Sequence, residues 1–214
     1  MAGKDWQAWH DAYERPGSEL SRRLLAVQDQ VRAALDAAPP GPLRAISLCA
    51  GQGRDLIEVL ATHPRRDDVT ALLVELDPRN VAYARSSAER AGLDAVEARE
   101  ADAAVTDEYA GLAPADLVLL CGIFGNVSDA DIARTVAYAP RLTARGGTVV
   151  WTRHRDDPDL VPAICDWFAD AGFARVWVSA EEDGYGVGVH RHTGEPPALE
   201  RGARLFTFQE ATAA

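Results

Sequence analysis

The chain has 214 residues, 47% apolar and 26% charged, which is enough for one domain with a sizeable core. Its formal charge of −11 disfavours nucleic acid as a partner, because such binding relies on cationic side chains meeting phosphates. No apolar run approaches the ~20 residues of a membrane-spanning helix, and MAGKDWQAWHDAYERPGS lacks a basic stretch followed by an apolar one, so a cytoplasmic protein without a membrane partner is expected.

In chain order, DWQAWHDAYER reads as a short aromatic helix stopped by Pro16-Gly17. Trp6, Trp9, His10 and Tyr13 recur at spacings of three and four, so one helix face presents them together. Their rings either anchor this arm to the domain or let His10 and Tyr13 handle an acceptor with Trp6 beside it. Ser18 then caps a second helix, on which Leu20, Leu24, Val27, Val31 and Leu35 form one apolar face. Arg22 and Arg23 on that helix point either to solvent or to an acidic substrate. APPGPLRA, 38–45, breaks the pattern, so one domain over 1–214 divides into a helical cap at 1–38 and a core at 43–214.

Strands are expected at 44–49, 70–75, 95–99, 116–121, 147–152, 174–179 and 185–191, with helices at 53–62, 78–91, 129–142 and 158–171. Several strands are apolar almost throughout, as in a parallel sheet covered on both faces. The alternation predicts an α/β, doubly wound, mostly parallel seven-stranded sheet. The last two strands have no helix between them and read as an antiparallel hairpin at the C-terminal edge, followed by RLFTF at 204–208.

In such sheets ligands bind at the carboxyl ends of the strands, near the switch in strand order. Gly51 and Gly53 follow the first strand in ISLCAGQGRDLIEVL, and Asp55 and Leu56 enter the next helix. The missing side chains allow close approach of a ligand to the backbone. Glu75 ends the next strand, where an acid can accept hydrogen bonds from both ribose hydroxyls of an adenosine. Asp77 either shares that role or simply starts the helix at Pro78. A nicotinamide dinucleotide and S-adenosylmethionine both fit this pattern. Leu56 in place of a third glycine, and Lys4 as the sole lysine, weigh against the dinucleotide.

From Leu43 onward the residues resemble the class I S-adenosylmethionine-dependent methyltransferases. SLCAGQGRD is similar to that family's glycine loop, LLVELDPRNVAYAR to its second motif and READA to its third. PRLTARGGTVVW and FADAGFARVWV are similar to the segments that close its Rossmann-like fold. The resemblance implies S-adenosyl-L-methionine as cofactor and methyl transfer to oxygen or nitrogen of a small organic molecule. It implies a cofactor set of Cys49, Ala50, Gly51, Gly53, Asp55, Glu75, Leu76, Asp102, Ala103, Cys121 and Gly122. Glu75 would take the ribose, Asp102 the adenine amino group and the Ala103 backbone the ring. Ser47 and Cys49 depart from the family pattern, standing where an acid and a glycine are usual. Cys49 can still offer its carbonyl to the ligand's ammonium, and Ser47 can bond the loop without bringing charge.

The acceptor end should lie at the ends of the fourth and fifth strands. In CGIFGNVSD, Phe124 either walls the acceptor pocket or joins the core, and Asn126 either orients the acceptor or caps a turn. The Asn/Asp-Pro-Pro-aromatic motif of nucleic-acid amino-methylating enzymes is absent there. In WTRHRDDPD, His154 is either a general base tuned by Asp156 or Asp157, or an exposed loop histidine. Tyr185 is a further candidate for the pocket. A metal is not expected: strand four ends in Cys121 instead of an acid, and His190 and His192 have no evident third ligand. Binding of S-adenosylmethionine without methyl transfer, as in a pericyclic or decarboxylating catalyst or a regulatory module, is the alternative. A nicotinamide-dependent reductase is the weaker one.

Overall fold

The computed structural model describes residues 17–209, so Trp6, His10 and Tyr13 lie outside the described residues. Ser18 caps helix α1 (Glu19–Ala37), its hydroxyl accepting the Ser21 N–H at 3.1 Å. Val27, Val31 and Leu35 are buried against the sheet, whereas Leu20 and Leu24 are only half-buried. The end of α1 is fastened by Arg65. Its guanidinium donates to the carbonyls of Leu35, Ala38, Pro39 and Gly41 and to the Asp68 carboxylate, which uses its whole donor fork on the end of α1 and the turn after it.

Seven strands follow: β1 (Leu43–Leu48), β2 (Val69–Glu75), β3 (Val96–Glu100), β4 (Ala115–Leu120), β5 (Thr143–His154), β6 (Phe173–Val178) and β7 (Tyr185–His192). They form one sheet in the order β3-β2-β1-β4-β5-β7-β6. β1 to β5 run parallel, and β7 is antiparallel to both β5 and β6. The crossovers carry α2 (Arg54–Leu60), α3 (Pro78–Arg90), α4 (Asp129–Leu142) and α5 (Val161–Asp170). Alternate residues of the central strands feed two apolar layers. Ile46, Leu48, Val118 and Leu120 face α4 and α5, whereas Ala45, Leu117 and Leu119 share the other layer with α1 and α2. Strand order reverses between β1 and β4, which places the crevice at their carboxyl ends. The expected fold class is therefore the observed one.

Most boundaries agree within two residues, and two differ by more. β5 starts at Thr143, directly from α4, with a register shift against β4. Gly147 sits at that irregularity, where a Cβ would lie 2.9 Å from the Ala115 carbonyl oxygen. The last helix begins only at Val161, whose N–H is taken by the Asp159 side chain at 2.8 Å. RLFTF is a strap and not a sheet strand. Leu205 and Phe206 bury themselves in the α4 layer, and isolated bridges join Arg204 to Val105 and Phe208 to Val127.

His190 and His192 are core residues. His190 Nδ1 accepts the Trp151 indole N–H at 3.1 Å, its ring stacks on Phe168 at 4.6 Å, and burial pushes its pKa down to about 4. Trp151 is fully buried and leaves no room above Gly188, where a Cβ would lie 2.2 Å from the indole Cε2. Gly188→Ala is therefore expected to cost about 1–3 kcal/mol through overpacking, read as a lower urea midpoint at unchanged slope. An unchanged midpoint would show that the strand pair opens freely at this point.

Candidate active site

The turn after β1 is built for close backbone approach. Cys49, Gly51 and Gly53 all have left-handed dihedrals, with φ 50°, 54° and 69°. At Gly53 a Cβ would lie 2.6 Å from Leu73 Cδ2 and 2.8 Å from Ile57 Cδ1, so glycine is required on two counts. The turn is tied to β2 by Ala50 N–H to Val74 O at 3.0 Å and by Gly51 N–H to Glu75 Oε2 at 2.8 Å. The other Glu75 oxygen accepts the Asp77 N–H at 2.8 Å. The carboxylate thus stands fixed at the lip of the crevice, half-buried, with one backbone donor on each oxygen. The Leu76 side chain beside it is 67% exposed.

Two buried polar atoms flanking this turn have no hydrogen-bond partner among the described residues: Ser47 Oγ and Asp55 Oδ1. Ser47 therefore does not bond the loop, as its sequence position had implied. Asp55, on the first turn of α2, is 9% exposed, and burial raises its pKa to about 6. The Cys121 thiol bonds to this carboxyl, and burial together with the nearby Asp55 charge holds that thiol well above its ordinary pKa. Cys49 is likewise pushed up, by burial first and then by Glu75 and Asp102, so neither cysteine is a thiolate.

Asp102 follows β3, with Oδ1 accepting the Ala104 N–H at 3.0 Å. Its Oδ2 accepts from Arg204 of the C-terminal strap at 2.6 Å, a partner the sequence did not disclose. Ala103 is buried, and its carbonyl takes the Tyr109 hydroxyl at 2.6 Å.

A cleft of about 170 Å³ opens at the ends of β4 and β5. Gly122 and Gly125 form its floor, and Asn126, Thr152, Arg153, His154 and Arg23 of α1 its walls. The floor is held by Gly122 N–H to Thr152 Oγ1 and by Asn126 Nδ2–H to Gly122 O, both at 2.8 Å. His154 packs over Gly125, where a Cβ would lie 3.1 Å from its ring. Its pKa is lowered by burial and by the adjacent Arg153, against the pull of Asp156. Nδ1 accepts the Asp156 N–H at 3.3 Å and also lies 3.2 Å from Asp156 Oδ2, two contacts that call for opposite tautomers. The tautomer that donates Nδ1–H to the carboxylate leaves Nε2 as the acceptor.

Two expectations are corrected. Phe124 does not wall the cleft: its ring is 0% exposed and packs 6.1 Å from Trp151, and only its carbonyl turns back, to accept from Arg153 Nη1. Tyr185 is paired opposite His154 in the β5/β7 register but is buried, and it does not line the cleft. Thr152 and Arg153 were missed as wall residues. The available signal was the change from apolar to polar residues in VVWTRH at the carboxyl end of a central strand.

No curated protein matches the chain by sequence. Among solved structures it is similar to an O-methyltransferase family protein from Burkholderia thailandensis, with a TM-score of 0.68 and 21% identity. That match covers 88% of this chain and 59% of the other, so the chain spans less than two thirds of that relative's length. It is also similar to a 1,6-didemethyltoxoflavin-N1-methyltransferase of the same organism, solved with 1,6-didemethyltoxoflavin and S-adenosylhomocysteine bound. There the TM-score is 0.61 at 18% identity, covering 91% of this chain and 92% of that one. An RNA methyltransferase from Salinibacter ruber in complex with S-adenosyl-L-homocysteine matches with a TM-score of 0.51 and 21% identity, covering 87% and 99%. At these identities the likeness is one of fold. A family model described as "Putative methyltransferase" matches residues 20–178, most of the chain, and the chain belongs to that family.

Proposed function

We propose that the chain transfers a methyl group from S-adenosylmethionine to an oxygen or nitrogen of a small organic molecule. The observation that carries this reading is the placement of Glu75. Its carboxylate is held by one backbone N–H on each oxygen, beside a turn in which Gly53 has no room for a side chain. A carboxylate has about four acceptor positions, so two remain for a pair of ribose hydroxyls. The orphaned Ser47 Oγ and Asp55 Oδ1 fit the other end of the same cofactor, which carries an ammonium.

The bound cofactor supplies an activated methyl on a sulfonium, already a good leaving group. The protein's contribution is then placement. The turn Cys49–Gly53, Glu75 and Leu76 receive the nucleoside, with Asp102 and Ala103 at the base. Asp55 and the Cys121–Gly122 backbone meet the amino-acid end. Holding two reactants in line can supply on the order of 7–11 kcal/mol of the barrier in favourable cases. The cleft between Gly122, Asn126 and His154 receives the acceptor, and His154 takes its proton at Nε2. Acidic net charge and the size of this cleft favour a small acceptor over RNA.

The test is incubation with S-adenosylmethionine and a panel of small hydroxy and amino compounds. A mass gain of one methylene unit in one of them is expected. Cofactor bound with no mass gain across the panel would favour a non-transferring binder, and binding of NADPH alone would overturn the cofactor assignment. For an acceptor that must lose a proton, His154→Gln should lower kcat by roughly 10²–10⁴-fold with little change in cofactor affinity. An unaltered kcat would remove His154 from the reaction.

A further inference from the structure

The cleft wall carries a cation without an acidic ion-pair partner among the described residues. Arg153 is half-buried at the end of β5, and no carboxylate lies within ion-pair distance of it among the described residues. Its Nη1 is spent on the Phe124 carbonyl, which fixes the plane of the guanidinium. Its Nε is buried and has no hydrogen-bond partner. A buried donor left unmade costs free energy, and more so on a charged group. This chain has 33 acidic against 22 basic side chains, so an unpaired guanidinium in a crevice is not a consequence of scarce acids. Arg23 of α1 lines the same cleft, and none of its lining residues among the described ones is acidic. The nearest acids, Asp129, Asp156 and Asp159, act on Arg153 only through space.

We propose that the methyl acceptor is a small carboxylic acid, and that Arg153 receives its carboxylate while Arg23, which lines the same cleft, adds positive charge. The proposal rests on the methyl-transfer reading above and specifies its substrate class. A guanidinium binds a carboxylate through fixed, planar N–H donors, which selects the acid against its amide isostere and orients the rest of the molecule towards Gly122 and His154. Restricting the acceptor in this way also explains why Thr152 and Asn126 spend hydrogen bonds on holding the floor rigid. The cofactor's own carboxylate is the other source of the same chemistry, and the experiment separates the two.

The experiment uses the full chain and calorimetry. S-adenosylhomocysteine is titrated first, because failure at this step removes the methyl-transfer reading and not only the substrate class. The protein saturated with S-adenosylhomocysteine is then titrated with benzoate and with benzamide. Benzoate is expected to bind one to one and at least about tenfold more tightly than benzamide, a difference of ~1.4 kcal/mol. Arg153→Met should abolish that preference, Arg153→Lys should keep part of it, and both should bind S-adenosylhomocysteine as the parent does. Equal binding of the two probes, absence of benzoate binding, or an unchanged preference in Arg153→Met each overturns the proposal. A loss of S-adenosylhomocysteine affinity in Arg153→Met, without loss of 5′-methylthioadenosine affinity, would instead assign Arg153 to the cofactor's carboxylate and overturn it equally.

Discussion

Glu75→Gln is expected to weaken S-adenosylhomocysteine binding by about a hundredfold or more, and to lower stability by ~1–2 kcal/mol. Both effects follow from the count of donors at one carboxylate. Gly51 N–H and Asp77 N–H already point at its two oxygens, each at 2.8 Å. A glutamine has a single acceptor oxygen, so its amide nitrogen must face one of these N–H groups. One tie breaks in the free protein: the turn after β1 loosens from β2, or the start of α3 loosens. In the complex the loss is larger, since two ribose hydroxyls that donate to a charged oxygen pair lose that charge and half of its lone pairs. Hydrogen bonds to charged groups are worth roughly 1.5–3 kcal/mol each, which places the combined loss at or above a hundredfold. Calorimetric titration and urea melts of the variant check the two parts separately. Glu89→Gln, on the exposed face of α3, serves as the control and should change neither. Binding within about threefold of the parent would mean that Glu75 serves the loop alone.

The parts of this site that were legible in the sequence are those whose geometry is local. A strand, a two-glycine turn and an acid at the end of the next strand are tied by the pleat and by the length of one crossover, so Gly51, Gly53 and Glu75 could be placed from spacing. The sheet was legible for a similar reason: strands buried on both faces are apolar throughout, and α1, α3 and α4 are capped by Ser18, Asp77 and Ser128. What could not be read depends on which side chains face each other once the chain has closed. Asp102 is met by Arg204, 102 residues away. RLFTF alternates as a strand would, yet it adds to neither edge strand, β3 or β6, and instead buries Leu205 and Phe206 against the α4 layer. Phe124 lies in a glycine-rich loop, and only the presence of Trp151 beneath the loop decides that its ring turns inward. Arg153 follows the same logic in reverse: on an apolar strand its parity points to the core, and a single backbone carbonyl redirects it to the cleft wall.

The loss of the usual acid on β1 has a compensating feature in the same crevice. Ser47 brings no charge, and its hydroxyl is orphaned. Asp55, eight positions on and at the start of α2, is a carboxyl buried beside Cys121 with one oxygen orphaned. Such a group is costly in the free protein. Its pKa is raised to about 6, by burial first and by Glu58 in addition, against the backbone N–H groups of Leu56 and Asp55 and the Cys121 thiol. The ordinary value is near 3.9, so the gap corresponds to about 3 kcal/mol of lost stability once the carboxyl ionises. The sign is that of a group whose pKa is higher in the folded state than in the unfolded one. Its contribution is fully favourable below the unfolded pKa and is lost as the pH rises through about 6. At neutral pH the ionised carboxylate therefore waits for a cation, and the cofactor's ammonium is the cation at hand.

S-adenosylhomocysteine affinity is accordingly expected to fall as the pH drops below about 6, by up to about tenfold per pH unit, while staying level above neutrality. In that range the free protein holds a proton on Asp55 which must leave before the ammonium is received. The same titration with 5′-methylthioadenosine, which has no ammonium, should show no such fall. Asp55→Asn should bind S-adenosylhomocysteine roughly 10²–10⁴-fold more weakly at neutral pH, lose the pH dependence, and leave 5′-methylthioadenosine affinity unchanged, because removing one member of a buried ion pair costs ~3–5 kcal/mol. The free variant should at the same time be more stable than the parent at neutral pH, since an amide in that position escapes the ionisation cost. His154 also titrates, with a pKa held below the ordinary imidazole value by burial, so the variant is needed to attribute the slope. A slope that persists in Asp55→Asn would move the effect to His154. Affinity that is flat with pH in the parent would show that Ser47 was replaced by nothing, and that the backbone carbonyls of Cys49 and Cys121 hold the ammonium alone.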